Sequence, residues 1–265
     1  MRDRLNAWRD RARVLATMPT VAADGDGRRV LRGLMKGTGG GAPVPIRIRA
    51  LKGRTIHLRP GTTDIDVIAD DFIFRYQLPP KEIRSARLRR IWELGTNVGV
   101  GLVDLALRYP DAELIGVEPD QANLEVARRN LEGLEDRCRL VEAAIWDEDG
   151  QIVVEGGQAY GLTVRAHRPD DPPELHPMPA ISLNSLLERE DPGGSIDFML
   201  MDIEGTEQRV LARDTEWAEH VRSIKVELHP ETGYTEHDCA ADLQRLGFRT
   251  RLEPLWWGGF VIGLK

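Results

Sequence analysis

The run Ile91-Trp92-Glu93-Leu94-Gly95-Thr96-Asn97-Val98-Gly99 passes from a short apolar segment into a turn with two glycines, and an amphipathic segment follows through Arg108. That order predicts a buried strand, a tight turn and a helix. Glycines at 95 and 99 let the backbone turn sharply and come close to a ligand, and the start of the helix offers free N–H groups. The same order repeats downstream. Apolar runs at Ile91–Leu94, Glu113–Glu118, Arg139–Ala143, Ile196–Asp202 and Ser223–Leu228 alternate with helical patterns at Gly99–Arg108, Gln121–Leu131 and Thr206–Ala212. Such alternation argues for βαβ units and a parallel sheet. Leu124, Ala127 and Leu131 form a buried stripe at helical spacing. Phe198-Met199-Leu200-Met201 is unbroken and apolar, as a central strand covered on both faces requires. After a helix marked by Cys239, Leu243 and Leu246, the segments Arg249–Leu252 and Gly259–Gly263 close the sheet as a hairpin, with Trp256-Trp257-Gly258 as its turn.

Ligands in open α/β sheets bind outside the carboxyl ends of the strands, and those ends carry the candidates. The second strand ends in Glu118-Pro119-Asp120. An acid about 20 residues beyond the glycine turn is where a Rossmann-like fold reads ribose hydroxyls, although Asp120 is equally able to cap a helix. The third ends in Glu142-Ala143-Ala144. Its small residues leave room for a flat ring, and Glu142 or Asp147 is suited to accept from an exocyclic amine. The fourth ends in Asp202-Ile203-Glu204-Gly205-Thr206-Glu207. The fifth alternates, with Lys225, Glu227 and His229 on one face and Ile224, Val226 and Leu228 on the other. His229 is either a general base or a loop histidine bonded to backbone.

Upstream, Leu5, Trp8, Ala12 and Leu15 recur at helical spacing, so Met1 to Met18 reads as an amphipathic helix that caps the core or pairs with a second subunit. Thr38-Gly39-Gly40-Gly41 is a joint; no Gly-Lys-Ser/Thr follows it, so it is not a phosphate loop. Ile46-Arg47-Ile48 and Thr55–Leu58 flank Lys52-Gly53 as a β-hairpin, and Asp64 opens a helix through Phe74. Gln158 to Pro179, rich in Pro, His and Asp, reads as a long functional loop; His167 and His176 lie within it. Residues 1–85 thus form a helical and hairpin segment, and 86–265 the α/β domain.

The 265 residues are 41% hydrophobic, enough for a sizeable core, and the formal net charge is −7. Nucleic-acid affinity comes mostly from Lys and Arg, so that balance counts against a DNA or RNA substrate. Two cysteines without metal-ligand spacing predict neither a zinc site nor a disulfide framework. The first residues lack the apolar run of a signal peptide. No stretch approaches the roughly 18–20 apolar residues of a membrane span. A cytoplasmic location is expected.

Taken in order, these pieces resemble the FkbM-type methyltransferase family. The similarity lies in Asp/Glu-x-Gly-x-Asn-x-Gly (Glu93 to Gly99), Glu-Pro (Glu118-Pro119), Ala-x-x-Asp-x-x-Gly (Ala144, Asp147, Gly150) and Asp-x-Glu-Gly-x-Glu (Asp202 to Glu207). His57 to Asp64 looks like the family's lead-in, with Tyr76 shortly after. The resemblance implies a Rossmann-like class I methyltransferase fold, α/β, with a mostly parallel seven-stranded sheet and a C-terminal antiparallel hairpin. It also implies S-adenosylmethionine as cofactor, held by Tyr76, Glu93, Gly95, Asn97, Gly99, Glu118, Pro119, Glu142, Ala143, Ala144 and Asp202. The implied reaction is O-methylation of a hydroxyl on a sugar, glycolipid, polysaccharide or polyketide product. Asp202 and His229 are the candidate bases, with Asp202 alternatively holding the cofactor's amino group; Glu204 and Glu227 orient the acceptor. Two departures stand out. Leu200 occupies a position where many members carry Lys, and Leu183-Asn184 stands where Leu-Asp is usual.

Rival readings fit less well. A nicotinamide dehydrogenase needs Gly at 97 and Gly or Ala at 100, where Asn97 and Val100 stand. Amino-methylating enzymes resemble Asp/Asn-Pro-Pro-Tyr/Phe, whereas Asp171-Pro172-Pro173 is followed by Glu174; base C5 methylation needs a nucleophilic cysteine after proline. A non-catalytic binding subunit would have no use for the carboxylates at 118, 202 and 204. Asp202, Glu204, Glu227 and His229 are of a type that binds magnesium, but carboxylates lining a sulfonium site are the plainer reading, and no metal is expected.

Overall fold

The computed structural model describes residues 13–36, 41–156, 163–172, 174–229, 232–255 and 258–265. The first 12 residues of the expected N-terminal helix, most of the glycine joint and the Trp256-Trp257 turn lie outside the described residues. The chain divides into two compact units, each assembled from several stretches of sequence.

One unit contains residues up to Leu78 with Thr96–Pro110 and Gln121–Cys138. It begins with helix α1 (residues 13–21). Helix α2 (Gly25–Leu34) is capped by Asp24, whose carboxylate accepts the Gly27 N–H at 2.8 Å, satisfying a donor that the first turn leaves open. Strands β1 (Val44–Ile48) and β2 (Arg54–Leu58) form the expected hairpin. Ile46, Ile48, Ile56 and Leu58 are buried on it, and Lys52 and Gly53 turn with φ of 56° and 81°. Helix α3 (Asp64–Ala69) continues as a π-helical turn, Asp70–Phe74, and stops at Arg75 with φ 63°.

Helices α4 (Val100–Arg108) and α5 (Gln121–Asn130) belong to this unit as well. A Cβ at Gly99, where φ is 74°, would lie 3.1 Å from the Ala127 Cβ, so glycine lets the start of α4 approach α5. Asn130 is fully buried. Its side chain accepts the His57 N–H at 2.7 Å and donates to the Val98 carbonyl at 2.8 Å and the His57 carbonyl at 3.2 Å. Asn130→Ala would strand these backbone groups in the interior. A loss of about 2–3 kcal/mol in urea unfolding is expected, since each buried orphan costs more than its bond contributes.

The other unit contains the main sheet: β3 (Arg90–Leu94), β4 (Glu113–Glu118), β5 (Cys138–Glu142), β10 (Phe198–Met201), β11 (Ser223–Glu227), β12 (Arg249–Leu255) and β13 (Gly258–Leu264), in the spatial order β12-β13-β11-β10-β3-β4-β5. β3 pairs parallel to β4 and β10, and β10 pairs parallel to β11. β13 runs antiparallel to both β11 and β12. This is the expected seven-stranded arrangement. Phe198 to Met201 are all buried, the central strand that their unbroken apolarity requires. Trp92, Met199, Met201, Ile224, Val226 and Val261 belong to one continuous core. No helix among the described residues is long and apolar enough to cross a membrane.

Lys225 is an exception within that sheet. It is only 4% exposed, and its ammonium sits 4.0 Å from the centre of the Phe260 ring. Burial pushes its pKa from 10.5 down to about 8, against the partial restoring charges of Glu253 and Glu227. The folded value lies below the unfolded one, so the penalty is borne in full below about pH 8. It fades as pH rises toward 10.5, and this group makes the protein more stable over that window. Lys225→Met should raise unfolding stability at pH 7 by up to about 3 kcal/mol. The gain should have largely gone above about pH 10.5, the unfolded value, if urea midpoints are compared at both pH values.

A second, four-stranded sheet was not foreseen. It comprises β6 (Ala144–Ile145), β7 (Gly150–Gly156), β8 (Thr163–Ala166) and β9 (Met178–Ile181), in the order β6-β9-β7-β8. The segment read as one long loop, Gln158 to Pro179, therefore contains strand β8 and the start of β9; residues 158–162 and 173 are outside the described set. Pro179 has no N–H to donate to a ladder. Yet it pairs with Gln151 in a short antiparallel ladder whose register the neighbouring residues hold. Helix α6 (Leu183–Glu190) follows, capped by Ser182 through the Ser185 N–H at 3.2 Å.

Candidate functional site

Because β3, β4, β10 and β11 are parallel, their carboxyl ends lie along one edge, and Gly95, Glu118, Asp202 and His229 stand at or just beyond those ends. The Gly95 N–H donates to the Val117 carbonyl at 2.8 Å, and the Asp202 N–H donates to the Leu94 carbonyl at 2.9 Å. Gly95 has φ 86°, and a Cβ there would fall 1.8 Å from the Asp202 carbonyl oxygen. No side chain fits between these strand ends. Glu118 is buried, and its Oε1 accepts the Asp120 N–H at 2.9 Å. Glu93 is buried within β3, Pro119 is half-buried and Glu142 is exposed; Ala143 is buried and Ala144 half-buried where β6 begins. Asn97, Gly99 and Tyr76 belong to the other unit. There Asn97 and Gly99 take positive φ, 49° and 74°, and the Tyr76 N–H donates to the Asp70 carbonyl at 3.0 Å.

Beyond β10 the chain turns through Glu204 and Gly205, with φ of 55° and 96°, into helix α7 (Glu207–Ala212). That turn brings three carboxylates around His229. Its Nδ1 lies 3.0 Å from Glu207 Oε1, while Nε2 lies 3.5 Å from Asp202 Oδ1 and 3.4 Å from Glu204 Oε2. Glu207 is 1% exposed and also accepts the Ile203 and Gly205 N–H groups at 3.3 and 3.2 Å. Burial alone would lower the His229 pKa. The hydrogen bond to Glu207 and the charges of Asp202, Glu207 and Glu204 outweigh it and raise the value to about 10. Asp202, Glu204 and His229 each offer one ligand atom, all within 4.8 Å of one another. Glu227 is not part of that group; its charge bears on Lys225 instead.

Three residues named in the sequence find their partners here. Asp147, expected to meet a ligand amine, is buried and held by Arg209 at 2.9 Å and Arg213 at 3.4 Å, with the Arg209 guanidinium 4.5 Å from the Trp146 ring centre. Asn184, where a carboxylate is usual, donates to the Asp214 carbonyl and Glu216 at 3.0 and 2.7 Å and accepts the Trp217 N–H at 2.7 Å. An aspartate could not donate those two bonds, so the departure fits a structural role. Glu207 closes the motif in the sequence, but its role of holding His229 was not assigned there.

Residues 93–250 match the family described as the methyltransferase FkbM domain. That span covers well over half of the 265 residues. The chain belongs to the FkbM methyltransferase family. The strand order and the match together make this FkbM-family chain a Rossmann-like, S-adenosylmethionine-dependent methyltransferase, which sets the nicotinamide reading aside. No curated protein matches its sequence. Solved structures similar to it include precorrin-6y C5,15-methyltransferase from Geobacter metallireducens, with 11% identity over 70% of this chain and 84% of that one and a TM-score of 0.41. Another is the S-adenosylmethionine-dependent methyltransferase SibL, with 16% identity over 99% and 75% and a TM-score of 0.45. A third is the O-methyltransferase TomG from Streptomyces achromogenes, with 16% identity over 69% and 75% and a TM-score of 0.41.

Proposed function

We propose that this FkbM-family protein transfers a methyl group from S-adenosylmethionine to a hydroxyl of a sugar, glycolipid, polysaccharide or polyketide-type acceptor. The observation that carries this reading is the edge where Glu118, Gly95, Asp202 and His229 follow one another at the ends of parallel strands. Glu118 is assigned the ribose hydroxyls, a pairing that a carboxylate at the second strand's end makes with both oxygens. Glycine at 95 lets the ends of β3 and β10 close against each other beneath that edge. The donor supplies an electrophilic methyl on a positively charged sulphur.

Asp202 is assigned the hydroxyl proton, and Glu204 the orientation of the acceptor. Holding the oxygen roughly 3 Å from the methyl carbon, in line with sulphur, supplies much of the rate. A base beside it adds about 10²–10⁴-fold. The test is incubation with a labelled methyl donor and a library of glycosides, glycolipids and macrolides, read by product mass. Label on an oxygen supports the reading. Label on nitrogen or carbon only, or no label with any acceptor, overturns it. Binding of S-adenosylhomocysteine to the native state should raise the melting temperature independently of the acceptor.

A further inference from the structure

We infer that Asp202, Glu204 and His229 coordinate a divalent cation of the magnesium or manganese type, which takes the acceptor hydroxyl as a further ligand. The inference rests on the methyltransferase reading for its role, but the site stands on its own geometry. One atom from each residue lies within 4.8 Å of the others, and His229 Nε2 is 3.4 and 3.5 Å from the two oxygens. Neighbouring ligands at about 2.1 Å from a cation are separated by about 3 Å, so small side-chain rotations close the cluster around an ion.

His229 is held ready for that contact. Nine-tenths of its side chain is buried, and Glu207 fixes Nδ1 at 3.0 Å while itself receiving two backbone N–H bonds. A metal-binding histidine is oriented in this way, by a carboxylate on its other nitrogen that leaves the free one directed at the ion. Charge points the same way. Asp202, Glu204 and Glu207 bring three negative charges to one imidazole, and an ion that binds Nε2 displaces the proton there to solvent and takes over the role of the ring's positive charge. Two carboxylates with one imidazole select a hard or borderline ion over a soft one.

Three protein ligands leave positions open on a six-coordinate ion for water or the acceptor. A hydroxyl bound there becomes more acidic. Its proton passes to the second oxygen of Asp202 as the oxygen–carbon bond forms and the sulphur–carbon bond breaks, and the thioether leaves with that electron pair. Glu227 has no part in this set, and its replacement should not alter ion binding.

The experiment is titration of the chelator-treated full chain with Mn²⁺, followed by the loss of the free-ion electron paramagnetic resonance signal and by calorimetry, with Mg²⁺ as competitor. One saturable ion per chain is expected, with affinity lowered about 10- to 100-fold in His229→Ala and in Asp202→Asn. Glu227→Gln should bind as the parent chain does. Melting curves in chelator establish that each variant is folded. No saturable binding at millimolar ion, or binding unaltered in both folded variants, overturns the site. S-adenosylhomocysteine binding measured in chelator separates the two ideas: its absence would overturn the methyltransferase reading, whereas its presence without ion binding would remove the cation alone.

Discussion

Gly95→Ala is expected to yield a chain that is largely unfolded or recovered only in aggregates, and the reason is local. At φ 86° an alanine is already strained, and its Cβ would stand 1.8 Å from the Asp202 carbonyl oxygen. That oxygen belongs to backbone and cannot swing aside as a flexible side chain would. Asp202 is tied by its own N–H to the Leu94 carbonyl, and Gly95 by its N–H to the Val117 carbonyl. Relief therefore requires β3 and β10 to part at their ends, in the middle of the main sheet. Backbone strain of about 1–3 kcal/mol and overpacking of a similar size add to roughly 2–6 kcal/mol, a large share of the about 5–15 kcal/mol that holds an ordinary domain together. Soluble expression and the urea midpoint are the measurements. A Gly95→Ala protein melting within a few degrees of the parent would mean that these strand ends are not closed as described.

The glycine turn was legible because its chemistry is local: residue types, spacing and the switch from strand to helix are all read within ten positions. The seven strands of the main sheet were legible for the same reason, their apolar runs being too regular for another fold. The small sheet was not. β8 and β9 are short, and Pro179 and the surrounding Asp, His and Pro residues mimic a loop; their pairing with β7 is a tertiary fact that no local pattern carries. The site divides likewise. Asp202, Glu204 and His229 could be named from strand ends, whereas grouping Glu227 with them followed from strict alternation along β11. That alternation ends with the strand at Glu227, so His229 is free to face the turn after β10 while Glu227 stays beside Lys225. The pairing of Asp147 was not legible, because Arg209 and Arg213, over 60 residues away in sequence, reach it only once the chain has folded.

The second large effect concerns Glu118. Glu118→Ala should weaken S-adenosylhomocysteine binding by roughly 10²- to 10⁴-fold while leaving the ligand-free protein folded. A carboxylate that accepts from both ribose hydroxyls makes two charge-assisted bonds, at about 1.5–3 kcal/mol each, and their loss corresponds to that range. The cost to the free protein is smaller. Glu118 Oε1 accepts the Asp120 N–H at 2.9 Å, and Asp120 is exposed, so water can replace the carboxylate there at about 1 kcal/mol. Glu118→Gln keeps the shape and one acceptor oxygen but not the charge, and its affinity should fall between alanine and the parent. Calorimetry with S-adenosylhomocysteine measures all three, and thermal melts without ligand separate binding from folding. Alanine binding within twofold of the parent would move the ribose away from Glu118. The donor's orientation over the strand ends, and with it the assignment of Asp202 to the acceptor oxygen, would then have to be rebuilt from a different anchor.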